Sequence, residues 1–329
     1  MEYHITIGPA CGDVDNLAAM LQAGMTAVRL NLSHGKIADR APWIQNLREA
    51  ERRTGLRAQL LIDLQGPEIR IGDLPAPLEL QDGTTVTLGE GGIPVPEAVV
   101  QAMPVGEPIQ LDDGLLLLEV TERLPKALRC RVIRGGRLGA RKSLCPMETE
   151  LEMPALTQED LENLAVAPAY GVDIVMLPFV RRRQNLLDLR EAMNQVGLEN
   201  ARVFAKLEDM RCVAALPTLL DVADTIVIAR GDLGNSMPLW ELPRVQKEIS
   251  AQCRAAGVPF LVVNQLLYHM TEHPIPTRTE VSDIFNAVLD GCTALMLTGE
   301  TASGKYPVQA VEVLRNTAQQ ALEYQKTLA

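Results

Sequence analysis

The chain has 329 residues, 47% hydrophobic and 22% charged, which is a globular composition and excludes disorder. Its formal net charge of -11 argues against nucleic-acid phosphates as the main partner, although a metal ion or a local arginine cluster could still recruit an anionic metabolite. Aromatic residues make up only 3%, so any core must be built from Leu, Val, Ile, Ala and Met.

In chain order, the apolar run HITIGPA reads as a first strand. It is followed by DVDNLAAMLQAG, a helix with an Asp cap that closes on Gly24. TAVRLNL and AQLLIDL give the second and third strands. The stretch from Ile71 to about Glu152 then changes character, with β-like alternation in TTVTLG, LLLLEVTE and ALRCRVIRGG and turn signals at DG, GEGG, DDG and RGG. TQEDLENLAVAPAYG resumes the helical period with a Thr cap, acidic residues in its first turn and a stop at Gly171. VDIVMLPF, RVFAKLE, DTIVIAR, PFLVVNQ and TALMLTGE supply five more strands, and the helices ELPRVQKEISAQCRAAG and RTEVSDIFNAVLDG also end on glycines. Eight strands, each followed by a helix, predict an α/β fold of the (β/α)8 TIM-barrel type over 1–70 and 153–329. The segment 71–152 is expected to be a small β-rich domain inserted after the third strand, where it would cover the catalytic face. A GxGxxG turn is absent, which removes support for dinucleotide binding.

Cys11, Cys130, Cys145, Cys212, Cys253 and Cys292 are scattered, without CxxC spacing or a neighbouring His, and read as reduced buried thiols. No apolar run approaches the about 20 residues of a membrane span, and MEYHITIG lacks a signal-peptide layout. A cytoplasmic protein with no membrane partner is expected.

Polar residues recur at the ends of the strands. The second gives Arg29, Asn31 and Ser33 at alternate positions, with His34 next, and the third gives Asp63 and then Glu68 and Arg70 in a QGPEIR turn. The fifth gives Lys206 and Glu208, the sixth Arg230 and Asp232, the seventh Asn264 and Gln265, and the eighth Thr298 and Glu300. One such residue is ordinarily a solvated loop residue. Six strands showing them at the same end point to a barrel mouth where charges must satisfy each other or a ligand. Glu208 and Asp232 form either a site for a hard cation such as Mg²⁺ or Mn²⁺, or an ordinary set of ion-paired carboxylates. Lys206, Arg29 and Arg70 either bind phosphate or carboxylate oxygens or balance those acids.

The chain resembles the pyruvate kinase family. The resemblance is carried, in order, by ITIGPA, AGMTAVRLNLSHG, DLQGPEIRIG, DDGLLLLEV, GGRLGARKS, MPALTQED, AKLED, ARGDLG, VNQLL, HPIPTRTEVSDIFNAVLDG and ALMLTGETASGKYPVQAV. It implies a glycolytic phosphotransferase that uses phosphoenolpyruvate or pyruvate and a nucleotide, with Mg²⁺ or Mn²⁺ and K⁺ as cofactors, and that pairs as a homodimer. By resemblance, Glu208 and Asp232 match the divalent-metal ligands, and Lys206 the lysine that stabilises the transferring phosphoryl group and the enolate. Arg29 matches the arginine of the phosphate site. Asn31, Ser33, Asp63 and the Leu64 carbonyl match the monovalent-cation site, and Glu68 the position whose acidic form goes with K⁺ dependence. Pro9, His34, Arg70 and Lys142 fall where the nucleotide is held, and the backbone of the turn from Ala229 through Gly231 and Asp232 where the substrate carboxylate binds.

The sequence also departs from the family pattern. Asn264 replaces a threonine tied to substrate binding and proton delivery, Tyr268 and His269 stand where small or acidic residues are usual, and Thr298 replaces a serine. RKSLCPMETELEMPAL differs from the usual nucleotide-side pattern. The chain ends soon after the eighth helix, so the family's C-terminal effector domain, and activation by fructose bisphosphate through it, are expected to be missing. Two other readings stay open: a metal-dependent pyruvate enzyme with a different electrophile, such as an aldolase, and a non-catalytic truncated paralogue.

Overall fold

The eight apolar runs form eight strands of four to six residues, four of them buried along their whole length and the others at all but one or two positions. In a computed structural model that describes all residues except His34, Asp113, Glu150, Glu152 and Ala329, they are β1 (Glu2–Thr6), β2 (Ala27–Asn31), β3 (Gln59–Asp63), β4 (Ile174–Leu177), β5 (Arg202–Leu207), β6 (Thr225–Ala229), β7 (Phe260–Val263) and β8 (Ala294–Leu297). Each is hydrogen-bonded in parallel to its neighbours in sequence, and β8 pairs with β1 to close the barrel. The crossovers carry helices α1 (Val14–Ala23), α2 (Ala41–Thr54), α3 (Gln158–Tyr170), α4 (Arg183–Gln195), α5 (Met210–Ala215), α6 (Leu242–Ala256), α7 (Arg278–Leu289) and α8 (Pro307–Leu328). This is the expected (β/α)8 barrel.

Two cores result from the period-2 alternation of the strands. Residues pointing outward from the strands meet the apolar stripes of the helices in a large layer that includes Ile5, Leu30, Leu60, Ile62, Leu207 and Ile228. Residues pointing inward, among them Leu61, Met176, Phe204, Val227, Leu261 and Met296, fill the barrel. At the N-terminal end of the barrel, Arg202 lies over the Phe204 ring and hydrogen-bonds Glu2, whose carboxylate also meets the His4 ring.

Helix ends follow the sequence signals. Asp13 caps α1 by accepting from the Asp15 and Asn16 amides, and Thr157 with Asp160 forms a reciprocal capping box on α3. The buried Asp160 does more: it accepts from the Gln65 and Gly66 amides and so anchors the chain leaving β3. Gly8 is needed for close approach, since a Cβ there would lie 2.3 Å from the Ala302 carbonyl oxygen. Gly12 similarly leaves room for the Trp43 indole of α2.

The chain divides into two compact units, Met1–Gly66 with Ala155–Ala329, and Pro67–Pro154. The second begins at Pro67 because Ile69 to Ile71 already runs beside Lys142 to Leu144: Leu144 donates to the Ile69 carbonyl and Ile71 to that of Lys142. It holds a five-stranded antiparallel sheet in the order Leu144–Pro146, Pro108–Leu111, Leu116–Leu124, Ala127–Arg134, Thr85–Gly89, and a two-stranded pair, Leu78–Leu80 with Gly136–Leu138. Its separate core is aliphatic, built on residues such as Leu88, Val99, Ile109, Leu118, Leu128 and Val132. Strand alternation here also turns Cys145 outward between the buried Leu144 and Pro146, whereas the other five cysteines are buried as expected.

Candidate active site

Along the barrel interior, the inward-facing positions change from apolar to charged toward the C-terminal ends of the strands. Leu61 is followed at that spacing by Asp63, and Phe204 by Lys206 and then Glu208. Asp63 and Glu208 are buried, with relative exposures of 1% and 3%. Buried charges of this kind survive only when paired. Lys206 Nζ lies 2.5 Å from Glu208 Oε1 and 3.6 Å from Asp63 Oδ2. Arg29 donates from Nε (2.9 Å) and Nη2 (2.6 Å) to the same Asp63 oxygen, and from Nη1 to Thr6 Oγ1 (3.0 Å). The result is an alternating chain of two cations and two carboxylates across β2, β3 and β5.

Burial disfavours the Lys206 charge, but Asp63, Glu208 and Asp232 outweigh it and hold the ammonium well above the ordinary lysine range. For Glu208, burial is the main effect; with the negative charges of Asp232 and Asp63 it raises the carboxyl to about 7 against the pull of Lys206. The same interactions place the Asp232 charge within reach of both residues.

Glu208 Oε2 accepts a 2.7 Å hydrogen bond from the Phe179 amide, just past β4. Phe179 has φ +53, a left-handed conformation that costs about 1–3 kcal/mol in a non-glycine residue. The turn after β4 thus takes up a strained conformation at the residue that supplies a donor to the buried carboxylate.

Asp232 differs from its sequence reading. The sixth strand ends at Ala229, and Asp232 lies exposed in the first turn of a short helix, Arg230–Asn235, rather than at the strand end itself. Ser33 likewise lies beyond the end of β2, where its amide donates to Asn31 Oδ1 (3.1 Å), so the alternation argument reaches only Asn31. Arg230 is anchored by the turn after β7 and by α7. Its guanidinium donates to the Asn264 carbonyl (2.7 and 3.3 Å) and pairs with Asp283 of α7. Asn264 and Gln265 take φ +80 and +53, which turns the chain sharply after β7. The Asn264 carboxamide lies over Gly231, where a Cβ would sit 3.3 Å from its Cγ.

Two oxygen-rich sets could hold cations. Asp63 Oδ1 is buried and has no hydrogen-bond partner, an orphaned acceptor on the strand position paired with Asn31 whose chemistry fits an oxygen-coordinated monovalent ion. Glu208 and Asp232 offer two carboxylates without His or Cys, which fits Mg²⁺ or Mn²⁺ completed by water and substrate oxygens. Among the described residues no group of three or more His, Cys, Asp and Glu side chains is placed to hold a metal. A two-carboxylate site of this kind does not need one.

A family model described as the barrel domain of pyruvate kinase matches residues 3–311. The chain belongs to the pyruvate kinase family. It is 36% identical to the pyruvate kinase of Geobacillus stearothermophilus over 98% of its own length and 58% of that protein's. It is 39% identical to the Agrobacterium vitis enzyme over 94% of this chain and 65% of that one, and 36% identical to the Aeropyrum pernix enzyme over 96% and 69%. The chain therefore spans well under two thirds of the Geobacillus relative.

The remaining family positions are distributed as follows. Pro9 is exposed just past β1. Arg70 belongs to the inserted unit, where it pairs with Glu68 (2.6 Å) and donates to the Arg141 carbonyl. Lys142, in the same unit, pairs with Asp112 (2.8 Å). His34 lies outside the described residues. Among the described residues no helix is long and apolar enough to cross a membrane.

Sequence reasoning missed three contributors to the site. Thr6, which anchors Arg29, shares the inward parity of His4 in HITIGPA and could have been found by that spacing. The Phe179 amide had no side-chain signal at all. Asp283 was hidden inside an otherwise ordinary amphipathic helix.

Proposed function

We propose that the chain is a pyruvate kinase that transfers phosphate between phosphoenolpyruvate and ADP, yielding pyruvate and ATP through enolpyruvate. One observation carries the reading: Lys206 is held as a cation in the barrel mouth between Asp63 and Glu208, beside Asp232. Phosphoryl transfer needs fixed positive charge more than it needs a base, and this ammonium is held too far above neutrality to act as one.

In the proposed step the bond between phosphorus and the enol oxygen breaks, its electron pair stays on that oxygen, and a terminal oxygen of ADP bonds to phosphorus; the enolate then takes one proton, from solvent water, at its methylene carbon to give pyruvate. Lys206 neutralises the phosphoryl oxygens and then the enolate oxygen. Arg29, oriented by Thr6 and Asp63, faces the phosphate with its remaining donors. Glu208 and Asp232 would hold Mg²⁺ or Mn²⁺, which supplies charge neutralisation and orientation when bound. Asn31, Ser33, Asp63 and the Leu64 carbonyl would hold K⁺, with Glu68 as the acidic residue that accompanies K⁺ dependence. The turn of Ala229, Gly231 and Asp232, with Asn264 over it, receives the substrate carboxylate. Pro9, His34, Arg70 and Lys142 are assigned to the nucleotide. A cytoplasmic homodimer is the proposed form.

Relatives named pyruvate kinase do not favour the aldolase-like or non-catalytic readings. The test is a coupled assay with phosphoenolpyruvate, Mg²⁺ or Mn²⁺ and a series of nucleoside diphosphates, with and without K⁺. Pyruvate formation that depends on nucleotide and metal is expected. No transfer with any nucleoside diphosphate would refute the kinase reading.

A further inference from the structure

We propose that Asp283 and Arg230 are positioning residues that hold the Asn264 carboxamide over Gly231 as the specificity contact for the carboxylate end of the substrate. The proposal rests on the substrate reading above, but the device itself stands on geometry. Asn264 is the first of two successive residues with positive φ, a turn that few side chains adopt unless their surroundings impose it. What imposes it is Arg230, whose Nε and Nη2 both donate to the Asn264 main-chain carbonyl. The Arg230 side chain is only 11% exposed, and its third anchor is the Asp283 carboxylate at 2.7 Å. Three elements are thereby tied together: the helix after β6, the turn after β7, and α7.

The tie has a chemical consequence. With its main-chain carbonyl held by Arg230, the Asn264 carboxamide lies against the Gly231 backbone, one residue from Asp232. Gly231 has no side chain to hold the amide away. An amide offers both a donor and an acceptor, so a carboxylate lying along this turn would meet its NH₂ group. Asp283 touches no part of that ligand and acts only through Arg230.

The test uses the full chain with Asp283→Asn, Asp283→Ala and the conservative Asp283→Glu. KM for phosphoenolpyruvate, KM for nucleotide and kcat are measured, together with binding of oxalate and of Mn²⁺. Hydrogen exchange is followed across residues 264–267. We expect Asp283→Ala to raise KM for phosphoenolpyruvate and weaken oxalate about tenfold, while nucleotide KM and Mn²⁺ affinity stay within about twofold. Exchange at 264–267 should accelerate, Asp283→Asn should fall between, and Asp283→Glu should restore most of the affinity. Lowered thermal stability with unchanged KM and oxalate affinity would overturn the proposal, as would a uniform fall in every constant. If the parent chain neither turns over nor binds oxalate, the kinase reading fails. The positioning device is then judged by exchange alone, and unaltered protection at 264–267 in Asp283→Ala overturns it.

Discussion

Replacing Lys206 with methionine keeps the stem's bulk and removes the charge that two buried carboxylates share. At 2.5 Å from Glu208 and 3.6 Å from Asp63, the attractions amount to about 7 and about 5 kcal/mol at an effective dielectric near 20, before desolvation is subtracted. Breaking a buried pair by deleting one partner costs a net of about 3–5 kcal/mol, because the other charge stays buried. Arg29 remains on Asp63, so the loss should fall mainly on Glu208. That residue can escape by taking up a proton, which makes the cost depend on pH. Its folded-state pKa is raised, to about 7 from 4.5, so the folded chain holds its proton more tightly than the unfolded chain. The resulting stabilisation is complete below 4.5 and is lost as pH rises through about 7. Without Lys206 the carboxyl climbs further, so the deficit of the variant should shrink toward pH 5 and grow above pH 7. Denaturant unfolding in metal-free buffer at several pH values measures this, and a coupled assay should show kcat reduced at least about 100-fold. A variant with stability within about 0.5 kcal/mol of the parent at pH 8, and kcat within about tenfold, would refute the reasoning.

The other expectations concern neighbouring features. Glu208→Gln should weaken Mn²⁺ binding by at least about tenfold while leaving the fold intact, which calorimetry and circular dichroism check together. Asp63→Asn should abolish stimulation by K⁺ and loosen Arg29; activity titrations with K⁺ against Na⁺ would show a flat response. Gly8→Ala should destabilise the barrel by about 1–3 kcal/mol, because its new carbon meets the Ala302 carbonyl; unfolding curves give the value. At the opposite end of the barrel, burial works to raise Glu2, but hydrogen bonds and charge from His4 and Arg202 bring it down to about 2. Its contribution is present above 4.5 and is lost as pH falls toward 2, so Glu2→Gln should be less stable than the parent at pH 7 and converge with it near pH 2.

The barrel was readable because its strands are largely buried on both faces and several of its helices stop at glycines. Gly24, Gly171 and Gly257 sit at helix C-caps with positive φ. Local signals suffice for such elements. Lys206 and Glu208 were also legible, since two inward positions in AKLED cannot both be core. Other parts of the site depend on distant segments meeting in space. The bond from Phe179 to Glu208 joins residues 29 positions apart, and that from Arg230 to Asp283 spans 53. No periodicity or spacing carries that information. Asp232 lay between these cases: its identity was legible, but its displacement into a helical turn was not, because Ala229-Arg230-Gly231 is compatible with strand or turn.

The division into two units, each with its own packing, has a spectroscopic consequence. Both tryptophans, Trp43 and Trp240, lie in the barrel unit, and the stretch from Pro67 to Pro154 contains no Trp, Tyr or Phe. Intrinsic fluorescence is therefore blind to the inserted sheet, whereas far-ultraviolet circular dichroism sees both units. If the aliphatic core of the insert melts independently, the two probes will give non-coincident transitions, and a single fluorescence midpoint will describe only the barrel.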